Sequence, residues 1–183
     1  MTPRHTKWFP SGTPAPAATL VMARSLAVQV LDAVAVATGN GEARWWFGML
    51  AEIKASSADT GGQFTVVEVT CPPNYQGIRH IHHNEDEGFW VLDGQLDLEV
   101  DGKHTVMHTG DYAFGPRNVP HGFSAGDAGC RMLFILTPGG FENLIMATSQ
   151  PAETRTTPPP SDEMPDFARL KTILAKFGGE ILV

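Results

Sequence analysis

Residues 77–94, GIRHIHHNEDEGFWVLDG, hold three of the seven histidines of this chain within four positions. Because successive side chains of a strand point to opposite faces, His80 and His82 would face one side while the residue between them faces the other. A short turn then lets Glu87, at the start of a following strand, present its carboxylate beside the two imidazoles. The pattern therefore predicts a metal site where two strands meet.

His83 is the alternative to His82 as a ligand. Its use would break the alternation along the strand and shorten the gap to Glu87, so strand parity favours His82. Imidazole and carboxylate donors suit Fe(II), Ni(II), Co(II), Mn(II), Cu(II) or Zn(II), and the spacing leaves the choice among these ions open. If this stretch stood alone, a polar loop with solvated histidines would be the simpler interpretation.

A second stretch, residues 110–121 with the sequence GDYAFGPRNVPH, ends in another histidine. Together the two stretches resemble the two conserved motifs of the cupin superfamily, and the spacer between them is similar to the short spacer of bacterial cupins. The first motif, G-x5-H-x-H-x3-4-E-x6-G, is matched by His80, His82, Glu87 and Gly94. The second motif, G-x5-P-x-G-x2-H-x3-N, is matched by Gly110, Pro116 and His121.

Three positions depart from these motifs. Gly77 lies closer to the first histidine than the consensus glycine does. Asn118 replaces a glycine, which is tolerable because Asn enters the left-handed backbone region readily. Ala125 replaces the final Asn, which is not a ligand in the family. The resemblance therefore implies one divalent transition metal ion, held by His80, His82, Glu87 and His121.

Short strands bounded by turn residues fill the middle of the chain. Residues 46–54 and 64–70 are rich in aromatic and β-branched side chains. The pairs Asp93-Gly94 and Asp101-Gly102 predict hairpins, because glycine adopts the positive φ that a tight turn requires. Further strands are predicted at residues 88–92, 95–100, 104–108, 112–115 and 131–137. Such a series predicts an antiparallel sandwich or barrel.

The resemblance narrows this fold class to an all-β cupin jelly-roll, or double-stranded β-helix, barrel with short C-terminal helices. We divide the chain into a disordered extension at residues 1–25, a barrel with N-terminal strands at 26–140, and a helical extension with a Pro-rich linker at 141–183. The helices are predicted over residues 141–149 and from an N-cap at Asp166 onward. We expect the second, amphipathic helix to dock on the outside of the barrel or on a partner subunit.

The apolar run at residues 26–37 has two interpretations. It follows basic residues and ends in Ala-Val-Ala, as a signal peptide does, but Gln29 and Asp32 interrupt it. We therefore favour a first strand over residues 28–36. Met22 is an alternative translation start, because the residues before it are rich in Pro, Thr and Ala.

Composition excludes several classes of partner. The formal net charge is −7 at pH 7 and the basic residues are scattered, which argues against nucleic acid and against a membrane surface. No apolar stretch approaches the length of about 18 residues that a membrane span needs. The two cysteines form no C-x-x-C pair, so a disulfide framework is not expected and the predicted location is cytoplasmic.

Residues 46–140 resemble bacterial single-domain quercetin 2,3-dioxygenases. The resemblance is carried by FGMLAEIKA at 47–55, DTGG at 59–62, EDEGFWVL at 85–92 and TPGGFE at 137–142. It implies a metal-dependent dioxygenase that cleaves a flavonol or a related enolisable aromatic substrate with O2. In that reaction Glu87 would be both metal ligand and general base. A non-redox isomerase, decarboxylase or lyase, and a small-ligand-binding or sensory cupin, stay open as alternatives.

Strand parity also predicts which side chains line a substrate pocket. Phe89 and Val91 share the inward face of Glu87, and Phe123 shares the face of His121. We expect the opposite wall to contain Met132 and Phe134 together with Tyr112 and Phe114, or with the residue between these two, and core packing is the alternative for each.

Other residues of these strands point elsewhere. Trp90 and Leu92 have outward parity, which suits packing between sheets or across the homodimer that is common in the family. His104 and His108 lie outside both motifs and are expected to face solvent. Glu85 and Asp86 are expected at a solvated loop tip.

Overall fold

A computed structural model describes residues 31–161 and 166–182. Ten strands and two helices occur in these ranges. In chain order they are β1 (Glu42–Trp46), β2 (Met49–Ala55), β3 (Thr65–Cys71), β4 (His80–His82), β5 (Asp86–Val100), β6 (Lys103–His108), β7 (Tyr112–Gly115), β8 (His121–Thr137), α1 (Glu142–Thr148), β9 (Gln150–Pro151), α2 (Phe167–Lys176) and β10 (Gly179–Ile181).

Strand β8 is the centre of the sheet. Its C-terminal half pairs with β3 on one side and with β5 on the other, and its N-terminal half pairs with β4 and again with β5. All the pairings are antiparallel, and β5 also carries β6 and β7. Two long strands that pair along both halves are the framework of a jelly-roll barrel, so the predicted all-β cupin fold is confirmed.

The two Asp-Gly pairs behave differently. Asp101-Gly102 forms the predicted hairpin between β5 and β6, with φ of +52° and +74°. Asp93-Gly94 does not turn the chain, and that prediction was wrong. Strand β5 continues through it with a β-bulge, because β8 pairs with β5 on both sides of the pair. The positive φ of Gly94 bends the strand instead of reversing it.

The N-terminal part differs from the prediction as well. The strand expected over residues 46–54 starts too early: Trp46 is the end of a separate strand, β1, a tight turn follows at Phe47-Gly48, and the rest of the range lies in β2. Residues 31–37 form no strand, so the expected first strand is absent from the described part of its range. The outer edge of β1, which such a strand could have joined, pairs with β9 instead. The predictions for residues 1–30, including Met22, lie outside the described residues.

The C-terminal helices begin and end close to their predicted bounds. Asp166 caps α2 by accepting a hydrogen bond from the backbone N–H of Arg169 at 3.0 Å. Helix α2 buries Leu170 and Leu174 against the barrel, and β10 then pairs with β4. The helix therefore docks on the barrel, next to the strand that carries two of the predicted ligands. Within the described ranges no helix has the length and apolar character needed to cross a membrane.

Candidate metal centre

Three neighbouring strands bring the four predicted ligands together. In the register of β4 and β8, His80 lies directly opposite His121. Strand β5 places Glu87 opposite Leu136 of β8. His82 is two residues after His80 and shares its face, as strand parity predicts. The side chains of His82, Glu87 and His121 are almost fully buried, and that of His80 is partly buried.

The donor atoms of the four side chains form a compact set. The Nε2 atoms of His80 and His82 are 3.0 Å apart. Glu87 Oε2 lies 3.1 Å from Nε2 of His121 and 3.4 Å from Nε2 of His82. All four residues offer a donor atom within 4.8 Å of the others.

These separations fit a bound metal ion. Two ligands at about 2.1 Å from an ion lie about 3.0 Å apart at a right angle and about 3.4 Å apart at the tetrahedral angle. The three measured distances cover the same span. A set of three imidazoles and one carboxylate is also a common donor set for divalent transition metals, which leaves the identity of the ion open.

Backbone carbonyls fix the tautomers of two histidines. Nδ1–H of His80 donates to the carbonyl of Ile78 at 2.7 Å, and Nδ1–H of His121 donates to that of Val119 at 2.9 Å. A carbonyl only accepts, so in each neutral ring the proton is on Nδ1 and the lone pair of Nε2 points to the cluster. The rings are thus oriented for metal binding by their own strands.

Burial and the neighbouring ligands shift the pKa of each group. Burial, together with His82 and His121, lowers the pKa of His80 to about 3, which keeps this ring in the neutral form that binds metals. Burial alone would raise the pKa of Glu87, but the carboxylate accepts hydrogen bonds from His121 and His82 when Nε2 of these rings carries a proton, and this outweighs burial and holds that pKa well below its ordinary value. The same contact with Glu87 raises the pKa of His121 in spite of its burial.

His83 lies outside the cluster. Its exposed ring contacts Oδ1 of Asn118 at 2.8 Å and Oε2 of Glu180 at 3.3 Å. Asn118 has the expected positive φ, +63°, and its N–H donates to the carbonyl of His82. Strand parity therefore chose correctly between His82 and His83, and His83 instead ties β4 to the second motif and to β10.

Glu85 differs from its expected place at a solvated loop tip. Its side chain is buried and its Oε2 atom has no hydrogen-bond partner among the residues that the structure describes, whereas Asp86 forms an ion pair with Arg117 at 2.8 Å. His104 and His108 are exposed, as expected.

A mostly apolar cavity lies against the cluster. His80, His82 and Glu87 line it, and so do two of the predicted pocket residues, Phe123 and Phe134. Three others, Phe89, Val91 and Met132, are fully buried in the barrel core and do not reach it.

Tyr112 and Phe114 were wrongly assigned to the pocket. They are 55% and 52% exposed on the outer face of the sheet. In β7, Tyr112 lies opposite Trp90 and Phe114 lies opposite Gly88 of β5, and residues directly opposite each other share a face. Because Trp90 points outward, Tyr112 and Phe114 must point outward too.

Sequence reasoning missed much of the cavity wall. One group comes from the β1–β2 turn and the segment before β4, and the other comes from the C-terminal elements. They are Trp46, Phe47, Met49, Tyr75 and Ile78, and Phe141, Leu144, Leu170, Leu174 and Ile181. The helical spacing of Leu170 and Leu174 indicated a buried face, but it did not indicate what that face covers.

Comparison with known proteins points to one superfamily. Residues 67–136 match the model of the cupin domain. The chain is 29% identical over 121 residues to a quercetin 2,3-dioxygenase of Bacillus subtilis, which covers 66% of this chain and 36% of the relative. It is 31% identical over 129 residues to a quercetin 2,3-dioxygenase of Aspergillus japonicus, which covers 62% of this chain and 37% of the relative. The chain thus spans little more than a third of the length of these relatives.

Solved structures agree on the fold. An RmlC-like cupin from Shewanella frigidimarina has a TM-score of 0.53 at 19% identity and covers 61% of this chain and 96% of its own. A predicted oxalate decarboxylase from Thermotoga maritima has a TM-score of 0.54 at 17% identity, with coverages of 57% and 99%. At these identities the likeness concerns the fold alone.

Proposed function

Because this chain belongs to the cupin superfamily and is similar in sequence to quercetin 2,3-dioxygenases, we propose that it is a metal-dependent dioxygenase that cleaves a flavonol or a related enolisable aromatic substrate with O2. The observation that carries this proposal is the buried cluster of three histidines and Glu87 at the wall of an apolar cavity. Such a cavity suits a planar aromatic ligand with few polar groups.

The four ligands, His80, His82, Glu87 and His121, would hold one divalent metal ion. When bound, the ion supplies a Lewis acid that lowers the pKa of a substrate hydroxyl beside it. The three imidazoles hold the geometry of the site.

Glu87 would receive the proton of the substrate hydroxyl. Its carboxylate lines the cavity and lies within hydrogen-bond distance of the cluster, so a hydroxyl placed there is within reach. The apolar walls exclude water from the same space, which strengthens the electrostatic interactions of the carboxylate.

Oxygen uptake by the metal-reconstituted chain tests this proposal. We expect at least one of the Fe, Ni, Co, Mn, Cu or Zn forms to consume O2 in proportion to the loss of a flavonol, with release of carbon monoxide. 1,3-Diketones serve as a second class of enolisable substrate.

Two outcomes would contradict the proposal. Formation of an isomer or of carbon dioxide without O2 uptake would indicate a non-redox cupin enzyme. Tight binding of a small ligand without turnover in any metal form would indicate a binding or sensory cupin. Elemental analysis of the metal that co-purifies would narrow the choice of ion. The homodimer and the cytoplasmic location stay predictions.

A further inference from the structure

One residue of the cavity lining, Tyr75, carries a hydroxyl that forms no hydrogen bond with the described residues. Apart from the metal ligands, the lining is apolar except for Trp46 and Tyr75. The indole N–H of Trp46 donates to Oγ1 of Thr148 at 2.9 Å. Among the described residues, the hydroxyl of Tyr75 has no hydrogen-bond partner. Outside the four predicted ligands, Tyr75 is therefore the one described residue of the lining with a polar side-chain group that forms no hydrogen bond.

Packing holds the ring of Tyr75 in place. It stacks on Phe123 with ring centroids 5.9 Å apart and an interplanar angle of 29°. Backbone hydrogen bonds fix the segment, since Gly77 N–H donates to the carbonyl of Phe123 and Ala125 N–H donates to that of Tyr75. The two edges of the ring face glycines: a Cβ atom added to Gly48 would lie 3.7 Å from one edge, and a Cβ atom added to Gly77 would lie 3.6 Å from the other. The ring is thus oriented without any contact through its hydroxyl.

Tyr75 lies beyond the ligand layer along the cavity. Phe123, on which it stacks, follows His121 by two residues on the same face of β8, a distance of about 7 Å along the strand. Tyr75 also borders the outer groove between the β1–β2 turn and α2. Tyr75 therefore lies in the part of the cavity lining that is remote from the metal ligands and adjoins the groove.

We propose that Tyr75 is a specificity-determining residue whose hydroxyl binds a polar group at the far end of an elongated, mostly apolar substrate. The near end of that substrate meets the metal ligands. This inference rests on the proposed function, and for a flavonol the matching groups are the ring hydroxyls remote from the enol. A site with an otherwise unpaired hydroxyl discriminates against analogues that lack the matching group.

Binding of two flavonol probes tests the role of Tyr75 without turnover. The metal-loaded full chain is titrated without oxygen with quercetin, which carries remote hydroxyls, and with 3-hydroxyflavone, which has only the enol. We expect Tyr75→Phe to weaken quercetin binding about 5- to 10-fold, as the loss of one hydrogen bond does, and to leave 3-hydroxyflavone binding unchanged. Tyr112→Phe is the matched control, because Tyr112 lies on the outer face, and it should change neither affinity.

The outcomes separate this inference from the proposed function. Suppose that the wild type binds both probes. If Tyr75→Phe then lowers the affinity for both probes equally, or changes neither affinity, the role of Tyr75 is overturned and the proposed function stands. A wild type that binds neither probe refutes the proposed function and this inference with it. Tyr75→Leu removes both the ring and the hydroxyl, so it should weaken both probes and weaken quercetin more. Metal content equal to that of the wild type verifies that each variant keeps its ligand set.

Discussion

The two sides of the metal cavity are built in different ways. On the barrel side, the predicted ligands come from β4, β5 and β8; β5 pairs with β8 along most of its length, with two bulges, and β4 pairs with β8 at His80 and His121. On the C-terminal side, α1, α2 and β10 contribute apolar side chains, and β10 pairs with β4 over three residues. One side thus carries the predicted ligands, and the other encloses the cavity.

This difference indicates how changes on each side should act. A substitution on the barrel side removes a donor atom from a fixed set, so its effect falls on metal binding and turnover. A substitution on the C-terminal side alters the shape and the closure of the cavity, so its effect falls on substrate affinity and stability.

The largest effect is expected from His121→Ala. This change removes a fully buried ligand that lies opposite His80 in the sheet, and we expect stoichiometric metal binding and all activity to be lost. Elemental analysis of the purified variant measures this loss. His83→Ala is the matched control, because His83 is exposed and outside the cluster, and it should keep its metal. Retention of metal by the His121 variant would refute the ligand set.

Glu87→Gln separates ligation from proton transfer. Glutamine keeps an oxygen donor but is not a base, so we expect metal to be retained and kcat to fall about 10²- to 10⁴-fold. Oxygen uptake and metal content are measured on the same preparation. Unchanged activity would remove Glu87 as the base, and loss of metal together with activity would show that its carboxylate is required for ligation.

Leu174→Ala tests the C-terminal side. Leu174 is buried on α2 and lines the cavity, so its truncation should lower the free energy of unfolding by about 2–3 kcal/mol and raise KM, with metal content unchanged. Thermal unfolding and steady-state kinetics measure the two effects. Lys171→Ala, an exposed position on the same helix, is the control. Loss of metal in the Leu174 variant would show that the C-terminal side also contributes to metal binding.

Glu142→Gln should have the smallest effect, and one that depends on pH. Glu142 begins α1 and accepts hydrogen bonds from Ser57 and from Thr65, the latter at 2.5 Å. Burial opposes these bonds, but they hold the pKa of Glu142 below its ordinary value. The ionised carboxylate therefore stabilises the fold by about 1 kcal/mol above about pH 4.5, and this contribution is lost as pH falls through the lowered pKa.

Denaturant unfolding of the wild type and of Glu142→Gln at several pH values measures that contribution. We expect the difference in free energy to be constant near neutral pH and to shrink in acid. Glu153→Gln, at an exposed position, should show no such difference. If the difference in free energy of unfolding between Glu142→Gln and the wild type grew as the pH fell, the ionised carboxylate would not be the stabilising form.

Local patterns predicted the barrel side well. His80 and His82 are two residues apart on one strand, so parity alone placed them on one face, and the second motif added His121. The same reasoning failed where it needed a partner strand. Tyr112 and Phe114 have the right spacing for a pocket wall, but their pairing with outward-facing positions of β5 turns them to the surface.

Identical dipeptides show the same limit. Asp101-Gly102 and Asp93-Gly94 offer the same backbone freedom, yet only the first reverses the chain. The difference lies in the pairing of β5 with β8, which continues on both sides of Asp93-Gly94 and converts its freedom into a bulge.

The fold class and the clustering of His80, His82, Glu87 and His121 could be predicted from the amino-acid sequence, because the two-residue period of a strand and the resemblance of two short motifs to those of cupins act within short ranges. The enclosure of the site depends on contacts between distant segments. Leu170 and Leu174 lie about ninety positions after His80 and His82, and only the docking of α2 and the pairing of β10 with β4 bring them to the cavity. The proposed role of Tyr75 likewise depends on tertiary packing, which places this residue in the cavity wall and, among the described residues, gives its hydroxyl no hydrogen bond.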